Sequence, residues 1–112
     1  MSSREVYAVE WTEVALADLD DVVNFIEREN PLTAENVLKR LESAARTLEH
    51  HPQRGRVVPE LARFEIHLYR ELVVRPWRIL YRTGEGRIFV LAVLDGRRDL
   101  ETLLLSRLLR RT

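Results

Sequence analysis

The amino-acid sequence predicts a single α+β domain in which a helical hairpin packs on one face of a small, mainly antiparallel sheet. Apolar residues recur at helical spacing between residues 15 and 48, and alternating, strand-like segments follow from residue 69 onward. A chain of 112 residues fits one domain of this kind. The predicted order of elements over residues 1–112 is β-α-α-β-β-β, followed by a final helix.

The first strand is predicted over residues 6–11, where valine, tyrosine and tryptophan favour a pleated surface. Thr12 is a suitable N-cap for the helix that follows, and Glu13 lies in its first turn, where the helix dipole favours an acidic group. This helix ends near Asn30. Its apolar stripe comprises Ala15, Leu19, Val22 and Ile26, widened by Leu16, Val23 and Phe25.

A second helix begins at Asn30-Pro31, because asparagine caps helices and proline is tolerated at the first helical position. It ends before His50-His51-Pro52. The short connection between the two amphipathic helices predicts that they fold back as an antiparallel hairpin. The apolar stripe of the second helix comprises Ala34, Leu38, Leu41, Ala45 and Leu48.

The second half of the chain is predicted to form three strands and a final helix. Residues 52–68 contain two prolines and a glycine and are predicted to be mainly loop. The strands are predicted over residues 69–74, 77–83 and 87–94, and a final amphipathic helix over residues 100–111. The last strand is apolar on both faces, so a second layer, either the final helix or a partner, must cover the face away from the hairpin.

The composition excludes several classes of chemistry. The chain has no cysteine, which excludes disulfides and thiolate sites. The histidines at positions 50, 51 and 67 do not have the spacing of a metal site, so we expect neither a metal nor another cofactor. No signal peptide or membrane-spanning segment is apparent, and we therefore expect a cytoplasmic protein that does not bind a membrane.

The two halves of the sequence carry opposite charge, although the net charge is zero. Residues 1–50 contain 5 basic and 11 acidic side chains, whereas residues 51–112 contain 13 basic and 7 acidic ones. A basic second half suits phosphate groups or an acidic partner, and an ordinary solvated surface explains it equally well.

Several segments, taken in order, resemble the RelE/ParE superfamily of toxins from type II toxin–antitoxin systems. The resemblance begins at Trp11-Thr12 and Asn30-Pro31 and continues through His51-Pro52. Its most specific parts are Tyr69-Arg70-Glu71-Leu72, Trp77-Arg78-Ile79-Leu80-Tyr81-Arg82 and Val93-Leu94-Asp95-Gly96-Arg97-Arg98-Asp99. It implies a toxin that a cognate antitoxin wraps and neutralises in a hetero-oligomer, with a working groove on the face opposite the helical hairpin.

The resemblance leaves the intracellular target open. RelE-like members cut mRNA on the ribosome, and ParE-like members poison DNA gyrase. For a ribonuclease, the resemblance offers Arg78, Arg98 and Arg70 for phosphate stabilisation and His67 or Glu71 as proton carrier. The proton-carrying lysines, histidine and tyrosine of nuclease relatives are missing here, which favours the ParE-like function. A degenerate member that only binds its antitoxin and assists repression is a third hypothesis.

The predicted target-binding residues are Arg70, Arg78, Arg97 and Arg98, and the predicted antitoxin-binding residues are Leu103, Leu104 and Leu108. We expect these three leucines to be partly exposed without a partner. Structural roles are the alternative to the functional ones. In this alternative Arg78 pairs with Glu71 or Asp99, and Glu71 pairs with Arg70 or Arg82. Trp77 and Tyr81 are predicted to belong to the core, and His67 to the surface.

Overall fold

The computed structural model describes residues 5–109 and places five strands in one mixed sheet. The strands are β1 (Ala8–Trp11), β2 (Arg56–Val57), β3 (Arg70–Val74), β4 (Trp77–Gly84) and β5 (Arg87–Asp95). Their spatial order is β1-β5-β4-β3-β2. The β1–β5 pairing is parallel, whereas β5–β4, β4–β3 and β3–β2 are antiparallel. The predicted fold class is confirmed.

Two helices, α1 (Glu13–Glu27) and α2 (Pro31–Arg46), form the predicted hairpin, and a 3₁₀ turn (Thr47–Glu49) extends the second. Both predicted N-caps are confirmed. The Thr12 hydroxyl accepts a hydrogen bond from the Ala15 amide, and the Asn30 side chain accepts one from the Thr33 amide. The side chains therefore satisfy amide groups that the first turns leave unpaired.

The hairpin covers one face of the sheet and forms the larger apolar core, here called the hairpin core. Its buried members are Ala15, Leu19, Val37, Leu41, Ala45, Leu48, Leu72, Ile79, Tyr81, Ile88, Val90 and Val93. Trp77 packs against this cluster and Tyr81 is fully buried within it, as predicted. Two residues assigned to the stripe of α1 do not join it: Leu16 is 47% exposed and Phe25 is 70% exposed. The sheet contacts a narrower strip of α1 than the sequence pattern predicted.

Two further helices, α3 (Pro59–Ala62) and α4 (Leu100–Leu109), cover the opposite face. They enclose a smaller apolar cluster, here called the second core, formed by Val58, Leu61, Leu80, Ala92, Leu94, Leu100 and Leu104. The final helix thus provides part of the second layer that the doubly apolar last strand required. The segment predicted to be mainly loop, residues 52–68, also contains the short elements β2 and α3, which the sequence did not predict. Both elements are too short to show a period in the sequence.

A β-bulge at Leu91 allows β5 to contribute to both cores. Leu80 pairs with Ala92 and Tyr81 pairs with Val90, which leaves Leu91 without a partner on β4. Before the bulge, Val90 faces the hairpin core, and after it the residues facing that core are odd-numbered, such as Val93. Ala92 and Leu94 consequently face the second core.

No helix within residues 5–109 is long and apolar enough to span a membrane.

Candidate functional site

Arg78 lies at the centre of a charged cluster that is buried beside the second core. Its Nε donates to Glu71 Oε1 at 2.8 Å, and its Nη2 donates to Glu71 Oε2 at 3.0 Å. Glu60, at the start of α3, accepts from Nη1 at 2.9 Å and from Nη2 at 2.7 Å. The Nε of Arg56 donates to Glu71 Oε2 at 2.7 Å. The cluster, here called the Arg78 network, joins β2, β3, β4 and α3.

Burial and pairing decide the electrostatics of this network. Glu71 is 1% exposed and Arg78 is 8% exposed, so neither group is stabilised by bulk water. Burial by itself would lower the pKa of Arg78, but the hydrogen bonds to Glu60 and Glu71 outweigh it and raise the pKa. The hydrogen bond from Arg78 holds the pKa of Glu60 below its ordinary value, against an opposing effect of burial. Arg78 is therefore a permanent cation that two carboxylates already neutralise.

Gly96 leaves room for the side chain of Arg78. A Cβ atom at position 96 would lie 3.0 Å from Cδ of Arg78 and 3.1 Å from the carbonyl oxygen of Pro76. The Gly96 amide donates to that same carbonyl oxygen at 2.7 Å. The turn after β5 can therefore lie close to the aliphatic part of the Arg78 side chain, because residue 96 has no side chain.

Arg70 lies on the opposite face of the sheet from Arg78. Arg70 pairs with Tyr81, whose ring is in the hairpin core, whereas Arg78 shares its face with Leu80 of the second core. The Arg70 guanidinium donates to the carbonyl oxygen of Gly55 at 2.8 Å and to Gln53 at 3.4 Å. The two arginines predicted to act together are separated by the sheet itself.

Arg70 and Tyr81 fix the loop that precedes β2. The Tyr81 hydroxyl donates to the Pro52 carbonyl oxygen and accepts from the Gly55 amide, both at 2.9 Å. A Cβ atom on Gly55 would lie 2.5 Å from the carbonyl oxygen of Glu71, so glycine is required by this close approach. Burial raises the pKa of Tyr81, although the Gly55 hydrogen bond and the Arg70 charge oppose it. Tyr81 is thus a neutral structural group.

The other predicted basic residues occupy the turn between β5 and α4. Arg97 is exposed and donates to both carboxylate oxygens of Asp95, at 3.0 and 2.8 Å. This side-chain bonding lowers the pKa of Asp95 to about 2. Arg98 is also exposed, and within residues 5–109 its side chain has no carboxylate within 4 Å. Of the four predicted target-binding arginines, Arg98 is the one whose side chain has no hydrogen bond or salt bridge within residues 5–109, although its charge helps to lower the pKa of Asp95.

The predicted proton carriers do not form an open catalytic pair. Glu71 is enclosed by Arg56 and Arg78, and the prediction that it pairs with Arg70 or Arg82 was wrong because Arg70 lies on the other face. The alternative pairing of Arg78 with Glu71 is confirmed. His67 is exposed in the segment between α3 and β3. Between residues 5 and 109 there is no cluster of three histidine or acidic side chains that could hold a metal ion.

The leucines predicted to bind the antitoxin have different environments. Leu104 is 3% exposed and belongs to the second core, so the expectation that it is exposed without a partner was wrong. Leu103 is half-buried against the same core, and the side chain of Leu108 lies outside the described residues. Helix α4 is further attached through Arg107, which donates to both carboxylate oxygens of Asp18 at 3.0 and 3.1 Å.

Sequence reasoning missed two carboxylates that organise the structure. Glu60 follows Pro59 at the start of α3, and this Pro-Glu pair in the predicted loop was the available signal for a helix start. Asp18 lies on α1 and also accepts from the amide of Val93 at 3.0 Å, beyond the end of β1. No sequence signal links residue 18 to residues 93 and 107, because that link depends on the tertiary fold.

Comparison with known proteins identifies the family. Residues 9–100 match the family model described as the ParE toxin of the type II toxin–antitoxin system parDE. The chain belongs to the ParE toxin family. Two curated relatives from Caulobacter vibrioides are similar to it. Toxin RelE2 is 33% identical over 85 residues, which cover 76% of this chain and 90% of the relative. Toxin ParE3 is 32% identical over 90 residues, which cover 80% of this chain and 86% of the relative.

Two solved structures of toxin–antitoxin systems share the fold. The chromosomal ParDE toxin–antitoxin system from P. aeruginosa matches with a TM-score of 0.68 and 20% identity, covering 81% of this chain and 97% of that chain. The toxin–antitoxin complex RelBE2 from Mycobacterium tuberculosis matches with a TM-score of 0.55 and 22% identity, covering 82% of this chain and 93% of that chain. This ParE family member therefore has an architecture shared by toxins that carry RelE and ParE names.

Proposed function

We propose that this chain is a toxin held inactive by a cognate antitoxin and that it acts by poisoning DNA gyrase rather than by cutting mRNA. The arrangement of the arginines supports this target because it does not suit RNA cleavage. Arg78 is neutralised by Glu60 and Glu71, and Arg70 lies on the other face of the sheet. Membership of the ParE family and the resemblance to ParE-like toxins support the same target.

Metal-independent RNA cleavage requires a base, an acid and stabilisation of a negatively charged phosphorane. A guanidinium that already binds two carboxylates must lose those contacts before it can bind a phosphate, and the buried Glu71 would then keep only its contact with the exposed Arg56. Glu71 is enclosed in the same network, and His67 is exposed in a different segment. The described residues thus provide no assembled acid–base pair around a free cation.

The experiment measures both activities of one preparation. Purified toxin is incubated with gyrase and supercoiled plasmid, and covalent gyrase–DNA breaks are quantified after denaturation. The same toxin is incubated with translating ribosomes, and mRNA ends are mapped by primer extension. We expect gyrase-dependent DNA breaks and intact mRNA. Efficient mRNA cleavage without DNA breaks would contradict the proposal.

Arg98→Ala is the informative variant, because it removes an exposed cation without disturbing the Arg78 network. A hydrogen bond to a charged group contributes about 1.5–3 kcal/mol, so we expect roughly a tenfold or greater rise in the toxin concentration needed for DNA breaks. Arg28→Ala is the matched control, since Arg28 is also an exposed cation but belongs to the end of α1 rather than to the β5–α4 turn. Equal activity of the two variants would argue against Arg98 as a target contact.

Ribosome-dependent mRNA cleavage is the second candidate function, and the 33% identity to Toxin RelE2 favours it. The third, a non-toxic antitoxin-binding co-repressor, predicts normal growth when the chain is strongly expressed alone. Growth arrest that co-expression of the neighbouring gene relieves would exclude this third function.

A further inference from the structure

A tight turn at residues 51–54 connects the helical hairpin to the edge strand β2 and carries a basic side chain at each end. The Arg54 amide donates to the carbonyl oxygen of His51 at 3.0 Å, which closes the turn. Pro52 occupies the second position, where its fixed φ suits a β-turn. The two ends of a β-turn have Cα atoms less than about 7 Å apart, so the side chains of His51 and Arg54 start from neighbouring points.

The backbone of this turn is held in place from the interior of the protein. The hydroxyl of Tyr81 donates to the carbonyl oxygen of Pro52 and accepts from the Gly55 amide. The Arg70 guanidinium donates to the Gly55 carbonyl oxygen at 2.8 Å and to Oε1 of Gln53 at 3.4 Å. A ligand of the turn therefore does not have to order its backbone, which removes one of the costs of binding.

The basic groups at the turn have no acidic partner. His51 and Arg54 are exposed, and within residues 5–109 neither lies within 4 Å of a carboxylate. Arg70 adds a second permanent positive charge, since both of its hydrogen bonds are to uncharged oxygens. No acidic residue occurs between positions 50 and 58, and Glu49 just before them is half-buried. The turn therefore presents positive charge that can meet an external anion.

The surroundings of the turn indicate which kind of anion it suits. Within residues 5–109, none of the large exposed apolar side chains lies between positions 46 and 57, so a protein partner would lack the apolar contacts that usually form the centre of an interface. The same segment has no phenylalanine, tyrosine or tryptophan on which the bases of a single strand could stack. Its surface is open, so a small anion would remain largely solvated. The phosphates of a nucleic-acid duplex bind through charge at an open surface.

We infer that the turn at residues 51–54, together with Arg70, is a contact site for the phosphate backbone of duplex DNA. Arg54 neutralises a phosphate, the imidazole of His51 donates a hydrogen bond beside it, and Arg70 contributes charge from behind the turn. Such a contact positions the protein on DNA without reading its sequence. It belongs to the toxin itself and does not require gyrase, so it goes beyond the proposed function.

The test measures binding of the full chain to a fluorescein-labelled 20-base-pair duplex by fluorescence anisotropy at several salt concentrations. We expect a dissociation constant on the order of 10⁻⁴–10⁻⁶ M near physiological salt, as for other sequence-independent contacts. Two arginine contacts predict a slope of about −1.8 for the logarithm of the association constant against that of the salt concentration. Arg54→Ala should make this slope shallower by about 0.9, whereas Arg54→Lys keeps the charge and should keep the slope.

Arg28→Ala is the control, because it removes an exposed cation from the end of α1 and should leave the slope unchanged. Thermal denaturation verifies that each variant is folded. Equal slopes for wild type and Arg54→Ala, or no binding of wild type to the duplex at low salt, would overturn the inference. Tighter binding of a single-stranded RNA, lost in Arg54→Ala, would overturn it in favour of RNA.

The gyrase assay distinguishes failure of this contact from failure of the proposed function. Duplex binding that depends on Arg54, without gyrase-dependent DNA breaks, would support the contact and contradict the proposed target. DNA breaks without any duplex binding by the toxin would support the target and overturn the contact.

Discussion

The hairpin core and the second core cover two faces of the same sheet, but different interactions hold them together. The hairpin core is built by two helices of 15 and 16 residues, whose buried contacts are almost entirely apolar. The second core is covered by helices of 4 and 10 residues, and the Arg78 network lies at its side. Apolar packing depends on volume and tolerates gradual change, whereas a buried charge cluster depends on every partner being present.

Removal of one partner from the Arg78 network is expected to cause the largest loss of stability. Arg78→Ala leaves the fully buried Glu71 without its main partner, and we expect the free energy of unfolding to fall by about 3–5 kcal/mol. Urea denaturation measures the change. A matched double variant, Arg78→Met/Glu71→Leu, removes the two most buried charges together. Glu60 and Arg56 lose their partners but are partly exposed to water, so the variant should remain within about 1–2 kcal/mol of wild type. A double variant as unstable as Arg78→Ala would show that the network contributes more than mutual neutralisation.

On the other face, Tyr81→Phe tests a single polar contact inside the apolar core. The substitution leaves the Pro52 carbonyl oxygen and the Gly55 amide without their shared partner, and we expect a loss of about 1–3 kcal/mol in the free energy of unfolding. Tyr7→Phe is the control, because Tyr7 also packs against the hairpin core but its hydroxyl has no hydrogen bond within residues 5–109. Equal effects of the two substitutions would contradict the role assigned to the Tyr81 hydroxyl.

Acid should weaken the second core more than the hairpin core. The pKa of Glu60 is lowered in the folded state by the hydrogen bond from Arg78. The stability that this carboxylate contributes is therefore fully present above its unfolded pKa, near 4.5, and is lost as the pH falls through the lower folded value. Urea midpoints measured between pH 6 and pH 3 should fall more steeply for wild type than for Glu60→Gln. Parallel curves for the two proteins would exclude Glu60 as a contributor.

The difference between the two faces of the sheet also explains which elements the sequence predicted. The hairpin follows from local signals: the side-chain caps Thr12 and Asn30 and two helical stripes. The strands β3, β4 and β5 were predicted to within one residue at each end. In contrast, β2 and α3 have only 2 and 4 residues, and tertiary contacts rather than local pattern hold them in place. The exposure of Phe25 shows that an apolar stripe predicts a buried face without determining its width.

The candidate site was less predictable than the fold, for physical reasons. A sequence shows that Arg78 and Glu71 have the spacing to pair, but it does not show whether that pairing prevails over a functional role. The sheet register decides the question by placing Glu71 beside Arg78 and Arg70 on the reverse face.

The parallel pairing of β1 with β5 delays completion of the sheet until the last strand is available. Residues 8–11 leave the ribosome first among the strands, yet their partners are residues 87–90 of the last strand. The entropy of closing so long a loop makes such a pairing slow, and the incomplete sheet leaves apolar strand surface open in the meantime. A nascent chain that ends before residue 87 has no partner for β1. The folded toxin thus forms only after residues 87–90, which lie near the end of the chain, have been translated.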